Sequence, residues 1–181
     1  MIEISGEKIK LKPIDFTHTN KILQWRNHPE VVKNFLYQEE ITLKDHEKWM
    51  REKVKTGEVI QFIICEKEKG REIGSVYLRD INWEEKKAEY GIFIGEDWAR
   101  GGKGYGTETA KKMVEYAFCQ LRLHKIYLRV IDTNERAIRS YKRAGFVKIE
   151  NKKEEVFLKD GPHEVMFMEA INPYYSKELK I

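Results

Sequence analysis

With 181 residues, the chain is long enough to bury a sizeable hydrophobic core, and we expect a single domain over residues 1–181. Its 34 basic and 30 acidic residues leave a net charge of only +4, a balance that argues against a dedicated nucleic-acid-binding protein. Because no apolar stretch approaches the roughly 18 residues of a membrane span and no secretory core begins the chain, we expect a cytoplasmic protein with no membrane partner.

The first half of the chain combines short strands with helices that begin at recognisable caps. Apolar and polar residues alternate over residues 9–14, which predicts a strand. Asp15 caps the helix that follows, and this helix ends before Pro29 because a residue that precedes proline is driven out of helical conformations. Thr42, with Asp45 three positions on, predicts a capping box that opens another helix. The remaining predictions here are a short helix over 30–35 and strands over 61–66, 72–81 and 88–95.

The second half repeats the alternation of helices and strands. Apolar residues at helical spacing predict a helix over 107–121, and Asn134 caps another that stops at Gly145. The predicted strands are 125–131, 146–149, 156–159 and 164–170. This order predicts a mixed α/β or α+β domain around one twisted sheet. Its final strands and the tail 173–181 could pair in a homodimer.

The two cysteines, Cys65 and Cys119, lie in apolar contexts. Neither has a second cysteine or a histidine at the spacing of a zinc site, so we expect no metal there. Buried free thiols of a reducing compartment are the prediction.

A glycine-rich run separates the strand 88–95 from the helix 107–121. Four of the six residues 101–106 are glycine, which lets a backbone approach a ligand closely, and the free N–H groups of a first helical turn favour an anion. The run matches neither a Walker loop nor the dinucleotide fingerprint, and a flexible surface loop is the alternative. The phosphate of a cofactor is expected to contact Arg100, Gly101, Gly102, Lys103, Gly104, Tyr105, Gly106 and Thr107.

This run resembles the acetyl-CoA-binding turn of the GCN5-related N-acetyltransferases (GNAT), whose signature is Arg/Gln-x-x-Gly-x-Gly/Ala. Gly104 to Gly106 match its last three positions, and Arg100 lies one place early, as one extra residue in the turn would produce. The family's second motif, Asn-x-x-Ala/Ser-x-x-x-Tyr-x-Lys/Arg-x-Gly-Phe, is matched from Asn134 to Phe146. The resemblance covers about residues 8–170. It implies a mostly antiparallel sheet, flanked by helices, whose two central strands splay apart.

The resemblance also implies a mechanism of direct acetyl transfer to an amine in a ternary complex. The pantetheine arm of acetyl-CoA would pair with the strand edge at Ile92, Phe93 and Ile94, and Asn134 would contact it. Tyr141 would protonate the departing thiolate; its alternative is a packing role. Glu89 is the candidate base, with a surface ion pair to Lys86 or Lys87 as the alternative. His46 is the second candidate base, although a lone histidine is more often structural.

The predicted first helices also carry a pattern of their own. Arg-Asn-x-Pro-x-Val followed by Ile-Thr-x-x-x-His-x-x-Trp resembles the sugar-nucleotide N-acetyltransferases of pseudaminic acid synthesis. This resemblance implies, as acceptor, the 4-amino group of a UDP-linked 4-amino-4,6-dideoxy sugar. The alternatives are a ribosomal-protein or peptide α-amine, a polyamine, an aminoglycoside, or an acyl-CoA-binding module without turnover. Mixed charge over residues 1–50 weighs against a polyamine. The predicted acceptor-binding residues are Trp25, Arg26, Asn27, His28, His46 and Trp49.

Overall fold

The computed structural model describes residues 2–175, which form one eight-stranded sheet with helices packed on its faces. The strands are β1 (Ile4–Ser5), β2 (Ile9–Pro13), β3 (Ile60–Glu66), β4 (Glu72–Asn82), β5 (Lys87–Ile94), β6 (Lys125–Ile131), β7 (Val147–Leu158) and β8 (Gly161–Ile171). The helices are α1 (Thr19–Arg26), α2 (Pro29–Val32), α3 (Leu43–Trp49), α4 (Tyr105–Cys119) and α5 (Glu135–Arg143). Most of the tail 173–181, where we expected a dimer contact, lies outside the described residues.

The sheet is antiparallel except at its centre, where β5 and β6 run parallel. Its strand order is β1-β2-β3-β4-β5-β6-β8-β7. The pairing of β5 with β6 covers only Lys87 to Glu89, whereas β5 stays paired with β4 up to Ile94. The two central strands therefore diverge beyond Glu89, and the expected mixed fold with splayed central strands is confirmed.

Two hydrophobic cores lie on opposite faces of the sheet. Phe62 and Ile64 of β3 belong to the core under α4 and α5, and the alternate residues Ile63 and Cys65 belong to the core under α1 and α2. Side chains alternate across a strand, so one apolar run supplies both layers. None of the helices within residues 2–175 is long and apolar enough to cross a membrane.

Three expectations about the elements are wrong. The predicted strands 146–149 and 156–159 are one strand, β7, which pairs with β8 on both sides of an irregularity between Lys148 and Lys153. The residues between them are polar because that part of the hairpin is exposed, so they lack the apolar alternation that predicts a strand. The helix α4 begins two residues earlier than expected, at Tyr105. Cys119 is exposed rather than buried, since it follows the buried Ala117 by two positions and so faces the other side of α4.

Candidate functional site

The divergence of β5 and β6 opens a cleft of about 1020 Å³. The floor is the free edge of β5, one end is the glycine turn with α5, and the other end is formed by α1, α3 and the loop that joins α2 to α3. This cleft holds most of the residues singled out from the sequence.

The edge of β5 faces the cleft from Ile92 to Ile94. These residues pair with β4 on one side, and on the other side the chain has moved away from β6. Their outward N–H and C=O groups are therefore available to an extended ligand, which can add to the sheet as a further strand would. The predicted role of Ile92, Phe93 and Ile94 stays a prediction, with a geometry that suits it.

The glycine turn presents the start of α4 to the cleft without a side-chain cap. Gly101, Gly102 and Gly104 have φ values of +80°, +73° and +81°, a left-handed conformation that strains other residues. Gly104 is the N-cap of α4, and it has no side chain to bond the first N–H groups. Those groups are therefore free to bind an anion, and the positive end of the helix dipole lies behind them.

The two cations predicted beside the turn lie on different sides of it. Arg100 lines the cleft, with its buried side chain paired to Asp97. Lys103 does not line the cleft, and its Nζ lies 5.9 Å from the ring centroid of Trp98; its contact with the cofactor stays a prediction. The other predicted residues of the turn that line the cleft are Gly101, Gly102, Gly104, Tyr105, Gly106 and Thr107.

Tyr141 lines the cleft from α5 while most of its ring packs in the core. Only 9% of the residue is exposed, and its ring meets that of Tyr90 edge-on at 5.9 Å between centroids. Burial raises the pKa of the Tyr141 hydroxyl, which is protonated at neutral pH with or without this shift. Asn134 also lines the cleft, and its side chain caps α5 by accepting from the N–H of Ala137 at 3.3 Å.

Glu89 is a buried carboxylate at the point where β5 and β6 separate. Its Oε1 accepts from Arg129 Nε at 3.0 Å and from Arg79 Nη2 at 3.1 Å. Burial by itself would raise the pKa of Glu89, but the bonds and charges of the two arginines outweigh it and lower that pKa. The expected alternative, an ion pair with Lys86 or Lys87, is wrong, because Lys87 pairs with Glu85.

Three of the six predicted acceptor-binding residues line the cleft: Arg26, His46 and Trp49. The Cζ of Arg26 lies 3.7 Å from the ring centroid of Phe35, and its Nη1 is buried with no hydrogen-bond partner in residues 2–175. The Nε2 of His46 is buried and equally unpartnered there, and burial lowers the His46 pKa, so the imidazole is neutral at pH 7. Trp49 donates to Gln61 Oε1 at 2.9 Å.

The other three predicted acceptor-binding residues hold the scaffold instead. Trp25 is 2% exposed and donates to Glu96 Oε1 at 2.9 Å. The side chain of Asn27 bonds the backbone N–H and C=O of Ile41 at 2.8 and 2.9 Å. His28 accepts from the N–H of Glu30 at the start of α2. None of Trp25, Asn27 and His28 lines the cleft, and each makes a local contact; their binding role stays a prediction.

Tyr77, Arg79 and Arg129 were not predicted from the sequence, although all three line the cleft. Tyr77 lies across Gly91 of the neighbouring strand, where any side chain would overlap its ring. Period-two spacing places Tyr77 and Arg79 on one face of β4, and this was the available signal.

Comparison with known proteins agrees with this architecture. Residues 8–147 match the family model described as an acetyltransferase (GNAT) domain. Spermidine N(1)-acetyltransferase of Escherichia coli K12 is 31% identical over 146 residues, which cover 78% of this chain and 74% of the relative. The acetyltransferase PseH of Campylobacter jejuni is 25% identical over 143 residues, covering 76% and 84%. The crystal structure of spermidine N-acetyltransferase from Vibrio cholerae with CoA and spermine superposes with a TM-score of 0.84 at 23% identity, covering 92% of this chain and 97% of that one.

Proposed function

Because the chain belongs to the GNAT acetyltransferase family and is an N-acetyltransferase, we propose that it transfers the acetyl group of acetyl-CoA to the 4-amino group of a UDP-linked 4-amino-4,6-dideoxy sugar. The amine would attack the acetyl carbonyl directly while both substrates occupy the cleft. The donor is supported by the geometry of the turn and of β5, and the acceptor by the charges at the other end of the cleft.

The donor half of the cleft fits acetyl-CoA. The uncapped start of α4 and its left-handed glycines suit the pyrophosphate, and the free edge from Ile92 to Ile94 suits the amide-bearing pantetheine arm. When bound, acetyl-CoA supplies the activated acetyl group and leaves as a thiol. An N–H of the β5 edge is placed to stabilise negative charge on the carbonyl oxygen during attack.

The acceptor class is supported by the partners that the charged side chains lining the cleft already have. The carboxylates that line the cleft are Glu30, Asp45 and Glu89, and each already has a partner: Lys33 at 2.7 Å, Thr42 at 2.6 Å and the two arginines respectively. Glu30 and Glu89 are already paired with cations, so a polycation would find only Asp45, which Thr42 bonds through a neutral hydroxyl, without a cationic partner.

Cationic donors, by contrast, remain available in the acceptor half. Arg26 Nη1 is buried at the cleft wall without a hydrogen-bond partner among the described residues, and a buried donor in that state is costly unless a ligand completes it. A diphosphate supplies acceptor oxygens in the geometry that a guanidinium matches. The half-exposed Trp49 adds an aromatic surface near it.

The reaction needs two proton transfers, one to the departing thiolate and one from the acceptor ammonium, and different residues carry them out. Tyr141, whose phenol is protonated at neutral pH and lines the cleft, donates its proton to the departing thiolate. The acceptor ammonium must first lose a proton. Glu89 stays ionised, but its two arginines weaken it as a base and neutralise its charge, so it is better suited to holding Arg79 and Arg129 in place. The neutral, unpartnered Nε2 of His46, or water, then accepts the proton.

A polyamine is the second candidate acceptor, because the E. coli relative at 31% identity is a spermidine acetyltransferase. A thiol-release assay decides between the two. Purified protein and acetyl-CoA are offered the UDP-linked amino sugar, spermidine, an aminoglycoside and peptides with free N-termini. Turnover on the sugar nucleotide, inhibited by UDP, supports the proposal. Turnover restricted to spermidine or to peptides contradicts the acceptor while leaving the acetyl transfer intact.

A further inference from the structure

One side of α5 carries three arginines that the proposed chemistry does not use. Arg136, Arg139 and Arg143 all line the cleft. Their spacing of three and then four residues places them on one stripe of the helix, which we call the arginine stripe. At a rise of about 1.5 Å per residue, the arginine stripe extends for roughly 10 Å along the helix axis.

Most of the charge of the arginine stripe is not neutralised. Within residues 2–175, Arg139 forms an ion pair with Glu135 at 3.0 Å, between two side chains that are mostly exposed. Arg136 and Arg143 form no ion pair there. Ser140, which also faces the cleft, is occupied by a bond to Thr107 Oγ1 at 2.9 Å. The arginine stripe therefore offers guanidinium groups to a ligand that carries negative charge.

The arginine stripe lies next to the glycine turn. The Nη1 of Arg136 is 3.9 Å from the place that a Cβ on Gly101 would occupy. A ligand whose phosphate rests on the turn would therefore bring its neighbouring groups alongside α5. In coenzyme A, the group of this kind that carries most charge is the phosphate monoester on the 3′-oxygen of its ribose.

We propose that the arginine stripe binds the 3′-phosphate of coenzyme A and makes the chain select CoA over 3′-dephospho-CoA. The backbone N–H groups of the turn already suit the pyrophosphate. The 3′-phosphate is a dianion that needs cations, and a guanidinium binds it with two parallel hydrogen bonds. The inference rests on acetyl-CoA being the donor, and it does not depend on the acceptor.

Isothermal titration of the protein with CoA and with 3′-dephospho-CoA, without any acceptor, tests the proposal. Wild-type protein is expected to bind CoA at least about tenfold more tightly, the value of one charge-assisted hydrogen bond. Arg136→Gln and Arg139→Gln should each reduce this ratio by weakening CoA alone. Lys142→Gln is the matched control: it removes one positive charge from the same helix, at an exposed position that does not line the cleft.

The ratio compares two ligands on one preparation, so a partly unfolded variant does not distort it. Equal binding of the two ligands by wild-type protein overturns the inference. A substitution that lowers the affinity for both ligands equally also overturns it. The arginine stripe would then bind the pyrophosphate that both ligands share, or attract both only by its overall positive charge. Binding of neither ligand would instead refute the donor in the proposed function.

Discussion

Replacement of Glu89 by glutamine tests the electrostatic design of the cleft. The carboxylate is 7% exposed and bonds Arg129 and Arg79 at 3.0 and 3.1 Å. At an effective dielectric constant of about 20, each contact is worth roughly 5 kcal/mol before desolvation. Breaking a buried pair costs about 3–5 kcal/mol. Because the two arginines are 28% and 33% exposed, water screens part of this. We expect Glu89→Gln to lower the free energy of unfolding by about 2–3 kcal/mol at neutral pH.

The sign of the pH dependence follows from the lowered pKa of Glu89. A carboxyl with a lower pKa in the folded state stabilises the protein above its unfolded pKa, which is 4.5 for Glu, and loses that contribution as the pH falls through the folded value. The difference in unfolding free energy between wild type and Glu89→Gln should therefore have its maximum value near neutral pH. It should shrink as the pH falls below 4.5.

Urea denaturation followed by circular dichroism, at about pH 7 and about pH 4, measures this difference. Glu164→Gln is the control, since Glu164 pairs with Lys153 at 3.2 Å between exposed side chains. Such a surface pair contributes about 0–1 kcal/mol. The reasoning is refuted if Glu89→Gln costs no more than the control, or if its cost grows as the pH falls.

Three further substitutions address the acid, the scaffold and the acceptor. Tyr141→Phe should lower kcat by about 10²–10⁴-fold with unchanged affinity for acetyl-CoA in titrations; unaltered turnover and pH profile would exclude the acid role. Gly95→Ala would overlap the buried ring of Trp25 and should cost about 1–3 kcal/mol or more in urea denaturation. Gly106→Ala, where the new Cβ meets its nearest atom at 3.8 Å, is its control, and equal stability of the two variants would contradict the packing. Arg26→Gln should raise KM for the sugar nucleotide about tenfold and leave KM for acetyl-CoA unchanged; steady-state kinetics in which both KM values rise would contradict a contact with the acceptor.

Features encoded locally along the chain were predictable. The capping box of Thr42 and Asp45 forms as expected, with Thr42 N–H donating to Asp45 at 3.0 Å. The glycine turn and the Asn134 cap of α5 lie where their motifs place them. In each case the signal and the structure it produces lie within a few consecutive residues.

Features that depend on which elements become neighbours were not predictable. Glu89 meets Arg79 and Arg129, which are 10 and 40 residues away in sequence, only because β4, β5 and β6 lie side by side. Trp25 was expected to bind the acceptor, but it packs on Gly95 below the cleft. A pattern shows that a helix has an apolar face, and it does not show whether an aromatic on that face meets the sheet or a ligand.

The acceptor is tested most directly by competition in one vessel. The protein is incubated with acetyl-CoA and equal concentrations of the UDP-linked amino sugar and spermidine, and the products are identified by mass spectrometry during the first turnovers. Our account predicts acetylated sugar nucleotide in large excess. Acetylspermidine as the main product would contradict it, because Glu30 and Glu89 are already paired with cations and Asp45 alone would have to attract a polycation.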